Sequence, residues 1–216
     1  MNISVENLSM STLTKKDKGE QKPRQKKEER EKQLYEPLKE YLFNKLGVDA
    51  FIIEAAKSSR FRAGTNKWKH PDLVGYEITK RNFNPLTQQL YLTLNEKKKF
   101  VRIWLFEVKE TLKFKDLTVF YSQANTNSSW ANFGYLCVGE IEDRDETIEQ
   151  LQRLRKSHNI GVIEINKKKP LESKILIDAA LKEEINWDEC SHLEQNGDFR
   201  KFLQAAIDAS NKEEFL

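Results

Sequence analysis

Val101-Arg102-Ile103-Trp104-Leu105-Phe106-Glu107-Val108-Lys109 is a run of branched and aromatic residues that ends in an acid and a base two positions apart. Its apolar content predicts a strand buried on both faces. Burying a carboxylate and an ammonium costs several kcal/mol per ion, so these two charges need compensation. On a strand, alternate side chains share a face, which puts Glu107 and Lys109 on one side and Val108 on the other. Thirty-five positions before Glu107 stands Asp72, in His70-Pro71-Asp72-Leu73-Val74-Gly75.

Working outward, Ala50–Ala55 reads as a strand, and Asp72–Thr79, Gln88–Leu94 and Phe100–Lys109 read as an antiparallel meander. Apolar residues at Leu34, Leu38, Tyr41, Leu42 and Leu46 follow helical spacing, and Gly47 supplies the stop. A helix over about 116–132, a strand over Phe133–Val138, an amphipathic helix marked by Ile148, Leu151 and Leu154, and a short strand over Ile160–Ile165 follow. Phe199, Phe202, Leu203, Ala206 and Ile207 mark a packed C-terminal helix. Strands alternating with helices predict an α/β core with a central mixed sheet flanked by helices. Residues 1–30, a polar mixed-charge leader, are expected to be disordered or helical, with the folded domain over 31–216.

The chain has 216 residues, a third of them charged, and a net charge of only +3. A global basic field is excluded, so any nucleic-acid site must be a local patch. Cys137 and Cys190 form no C-x-x-C pair, which argues against zinc and against a disulfide framework. No run reaches the roughly 18 apolar residues of a membrane span, and the N-terminus carries no apolar signal core. A cytoplasmic protein with no membrane association is expected.

If the meander brings Asp72 beside Glu107, two carboxylates converge at one sheet edge. A hard cation such as Mg²⁺ suits them, with the Val108 carbonyl as a further oxygen. Lys109 would then orient or deprotonate a water and stabilise developing negative charge. This is the layout of a hydrolytic phosphodiesterase without a Ser, Cys or His nucleophile. The bland alternative is a structural ion pair, since E-x-K tripeptides are common. Glu36 on the first helix is a candidate further ligand, or else a carboxylate favoured by the helix dipole beside Pro37. Gln123 is a candidate to hold a phosphate or the attacking water, or else an ordinary helix-surface residue. Lys57, Arg60, Arg62, Lys67 and Lys69 make a basic loop before Asp72 that suits phosphate contacts, with Trp68 able to stack; the alternative is a solvated loop.

Pro71-Asp72 and Glu107-Val108-Lys109 resemble the signature of the PD-(D/E)XK nuclease superfamily, and the element order over roughly 33–140 resembles its restriction-endonuclease-like core. The resemblance implies that Asp72 and Glu107 bind Mg²⁺, with Mn²⁺ as a substitute, and that Lys109 positions the water. It also points to Glu36 as an assisting acid and to Gln123 as a helix glutamine of the kind several subgroups carry. Two further stretches, Ser122–Asn132 and Asn186-Trp187-Asp188 with Asn196-Gly197-Asp198-Phe199, resemble bacterial restriction-associated proteins of the HrgA-like kind. The expectation is a DNA endonuclease of bacterial defence, working as a homodimer or higher oligomer. The alternatives are an effector subunit regulated by a ligand or by a defence-system partner protein, and a nuclease acting on RNA or branched DNA.

Overall fold

The computed structural model describes residues 26–54, 57, 70–78, 84, 86–87, 89–90 and 101–212. Its sheet has six strands in sequential order: β1 Val48–Ile52, β2 Leu73–Ile78, β3 Val101–Leu112, β4 Phe133–Ile141, β5 Ile160–Glu164 and β6 Lys174–Ile177. The pairs β1–β2, β2–β3 and β5–β6 are antiparallel, whereas β3–β4 and β4–β5 are parallel. The two parallel steps need crossovers. Helix α2, Leu117–Asn127, provides the first and helix α3, Arg144–Ser157, the second.

The chain is therefore α/β with a mixed sheet, as expected, but its meander is built differently. Of the strand expected over Gln88–Leu94, the described residues Gln89 and Leu90 are not in the sheet. β2 pairs directly with β3, and Leu86, Thr87, Gln89 and Leu90 are helical; 91–94 lie outside the described residues. β6 went unread because its four half-exposed residues, Lys174–Ile177, give too short a pattern for periodicity to register.

β3 is covered on both faces. Its even-numbered residues Trp104, Phe106 and Val108 pack with Leu38 and Leu42 of helix α1, Tyr35–Tyr41, and of the wide turn Leu42–Leu46 that continues it. Gly47 ends that turn with φ +67°, a conformation that a side chain would strain. The odd-numbered Ile103 and Leu105 face Cys190 and Leu193 of helix α4, Trp187–Leu193, together with Phe199 and Phe202 of helix α5, Gly197–Lys212. On the same side Leu117, Tyr121 and Ala124 of α2 and Leu151 of α3 pack on β4 and β5. Both cysteines are buried and free. No helix among the described residues is long and apolar enough to cross a membrane.

The Asn-rich stretches singled out in the sequence hold the connections together. Asn132 accepts from the Ile103 amide at 2.8 Å and donates to the Lys182 carbonyl at 2.8 Å. Asn186 Oδ1 accepts from the Glu189 amide at 3.2 Å and so caps α4. Asn196 Oδ1 accepts from the amides of Asp198 and Phe199, while its Nδ2 donates to the Glu54 carbonyl. One side chain thereby starts α5 and ties it to the end of β1.

Candidate active site

Glu107 and Lys109 continue the Ile103–Leu105 row along β3, on the face that α2 crosses. Leu73 pairs with Phe106, so the register carries Asp72 to the position opposite Glu107, just before β2 begins. The three residues singled out from the sequence thus meet at one place. Lys109 Nζ lies 2.6 Å from Glu107 Oε1, and their side chains are only 9% and 2% exposed. This is a buried ion pair rather than a surface contact.

Every carboxylate oxygen of the pair is held. Asp72 Oδ1 accepts from the Tyr35 hydroxyl at 2.8 Å, and Oδ2 accepts from the Val108 amide at 2.7 Å. Glu107 Oε1 accepts from Lys109, and Oε2 accepts from Asn127 Nδ2 at 2.8 Å. The N–H and C=O of one strand residue face the same neighbour. Since the Val108 amide faces Asp72, its carbonyl is turned to that edge as well. Lys109 Nζ also stands 5.4 Å from the centre of the Phe120 ring on α2, within cation–π reach.

The electrostatics follow from burial and crowding. Burial pushes the Asp72 carboxyl above the ordinary range, against the pull of Lys109. Burial, and then the neighbouring Asp72 charge, push Glu107 up to about 7. For Lys109, burial works against the ammonium, but Glu107 and Asp72 outweigh it and hold the lysine above its usual value. Lys109 is therefore a cation at neutral pH. That favours orienting a water over deprotonating it.

The first helix contributes an acid, but not the expected one. Glu36 points away from this edge: its side chain is 73% exposed and faces Lys39 at 3.5 Å. Glu31 comes instead, from helical residues 26–32. Its Oε1 is buried with no hydrogen-bond partner among the described residues. Burial raises its pKa, and its charge is felt by both Lys109 and Asp72. The signal was present in the pattern. Glu31 lies on the same helical stripe as Leu34, Tyr35 and Leu38, all of which are buried, and Glu36 lies off it. An acid on an apolar stripe marks a buried charge, and starting the helical pattern at Leu34 left it out.

α2 gives a parallel result. Gln123 is half-buried on this helix. It is Asn127, one turn further on, that reaches Glu107, and Asn127 was not singled out from the sequence. In the basic loop, Lys57 is occupied, lying 3.0 Å from Asp198 and 3.4 Å from Glu54. It serves as a brace between β1 and α5 rather than an open phosphate contact. Arg60, Arg62, Lys67, Trp68 and Lys69 lie outside the described residues.

Among the described residues no three His, Cys, Asp or Glu side chains converge so as to hold a metal ion unaided. The edge still suits a hard cation. It offers two carboxylates, the Val108 carbonyl and a buried Glu31 oxygen that lacks a partner, and Mg²⁺ uses one or two carboxylates while keeping several waters. No family model matches the chain, and neither a curated protein nor a solved structure matches it.

Proposed function

We propose that this chain is a Mg²⁺-dependent endonuclease of the PD-(D/E)XK kind, hydrolysing DNA phosphodiester bonds in bacterial defence. One observation carries the reading: Asp72, just before β2, comes beside the buried Glu107 and Lys109 of β3. A structural ion pair explains Glu107 with Lys109. It does not explain a second carboxylate placed opposite, or a third acid near enough for its charge to act on Lys109 and Asp72, because each added like charge raises the cost of burial.

In this reading Asp72, Glu107 and the Val108 carbonyl hold the cation, with Glu31 in the part first given to Glu36. Bound Mg²⁺ supplies Lewis acidity at a phosphoryl oxygen and lowers the pKa of a water. The chain supplies the positioning. Tyr35 and the Val108 amide fix Asp72, while Lys109 and Asn127 fix Glu107. The Lys109 ammonium orients the attacking water and offsets charge that develops on the phosphate. Gln123, half-buried on the adjacent helix, keeps in this reading its role of contacting phosphate or water. The basic stretch over 60–69 precedes Asp72 in the chain and provides cations for the DNA backbone. Cutting both strands of a duplex calls for two copies of the site, hence a homodimer or a higher assembly.

Plasmid nicking tests the reading, with Mg²⁺, with EDTA and with Glu107→Ala. Cleavage in the first alone is expected; cleavage in all three would remove the metal mechanism.

A further inference from the structure

We infer that Asn127 is a positioning residue of this site, locking the Glu107 carboxylate in the orientation that presents it to a cation. The inference deepens the nuclease reading and rests on it. It starts from an energetic oddity. Asn127 is only 5% exposed, near the end of α2, where Leu117, Tyr121 and Ala124 form a buried stripe. A leucine of nearly the same shape would suit that stripe better, because the Asn127 Oδ1 is buried with no partner among the described residues. Only the other end of the amide is used, with Nδ2 donating to Glu107 Oε2 at 2.8 Å. Helix capping does not account for the side chain either, since the hydroxyl that folds back on this helix end is that of Ser128, donating to the Ala124 carbonyl at 2.7 Å.

The orientation of the amide is itself dictated by the carboxylate. Turned over, it would set Oδ1 against Oε2, two acceptors face to face. With Nδ2 on Oε2 and Lys109 on Oε1, the plane of the Glu107 carboxylate is fixed from both ends. Without Asn127 the carboxylate is free to turn about Oε1 and to lean wholly on Lys109, which withdraws it from a cation. Supporting partners of this kind commonly govern metal affinity 10- to 100-fold.

The test uses Mn²⁺ as the probe, followed by electron paramagnetic resonance on the full chain, beside thermal melts of the cation-free protein. Asn127→Leu should weaken Mn²⁺ binding by about tenfold or more, and it should also lower the melting temperature of the cation-free protein, because Glu107 Oε2 loses its buried partner. Asn127→Ala serves as a second variant should leucine not be accommodated, with the same loss of affinity expected. A merely structural asparagine would lower the melting temperature while Mn²⁺ affinity stays unchanged in both variants, and that result would overturn the inference. Failure of the wild-type chain to bind Mn²⁺ would instead overturn the nuclease reading, and this inference with it.

Discussion

The raised Glu107 carboxyl makes a quantitative demand on the cation-free protein. Burial and the Asp72 charge lift it from the ordinary 4.5 to about 7. A carboxyl displaced upward binds its proton more tightly in the folded chain than in the unfolded one. Below pH 4.5 it is protonated in both states and costs nothing. Between about 4.5 and 7 the unfolded chain ionises first, so stability falls as the pH rises. Above 7 both states are ionised and the full penalty stands. At 1.36 kcal/mol per pH unit the penalty is on the order of 3 kcal/mol. At about 2–4 °C per kcal/mol for a chain of this size, that amounts to about 6–12 °C in Tm. The perturbation is Glu107→Gln, which keeps the shape and removes the titration. Asn127 can turn its amide to accept from the new Nε2 and so satisfy its own orphaned oxygen. The assay is a thermal melt in EDTA at half-unit steps from pH 4.5 to 8.5. The wild type should lose stability across that window relative to the variant, and titrating groups remote from Glu107 cancel in the difference. Mg²⁺ at pH 8 should recover the loss in the wild type alone. Parallel curves for the two proteins would refute the argument that burial and the Asp72 charge act on Glu107.

Four further outcomes are expected. Lys109→Met, which keeps the aliphatic stem beside Phe120, should lower kcat roughly 10²–10⁴-fold in a nicking assay while Mg²⁺ binding by calorimetry persists. Glu31→Ala should weaken Mg²⁺ binding whereas Glu36→Ala should leave it unchanged, and an inverse result would restore the acid first expected. Tyr35→Phe removes a hydrogen bond to a charged carboxylate and should cost about 1.5–3 kcal/mol in urea unfolding at pH 8, because Asp72 Oδ1 loses its partner. Asn196→Ala should cost about 1 kcal/mol by the same measure without touching Mg²⁺ affinity, since that side chain works as the cap of α5.

The chemistry-bearing strand could be read from the sequence because strand geometry is local. A period of two put Glu107 and Lys109 on one face whatever the rest of the chain did, and the apolar run around them fixed their burial. The placement of Asp72 came instead from tertiary pairing: a strand starting at Leu73 and pairing antiparallel with β3 leaves the residue before it opposite Glu107. Packing decided the rest. Five residues apart, Glu31 and Glu36 fall on different sides of the helical period, and docking of the apolar stripe on β3 carried the Glu31 side inward. Docking likewise gave Glu107 the amide of Asn127 rather than that of Gln123. Short, half-exposed β6 and the direct pairing of β2 with β3 depend on contacts between distant residues, which carry no local signal. The sequence by itself determined which strand bears the charges and which face they share; the tertiary structure decided which helix turns close over them, because a buried carboxylate takes its partners from whatever packs against it.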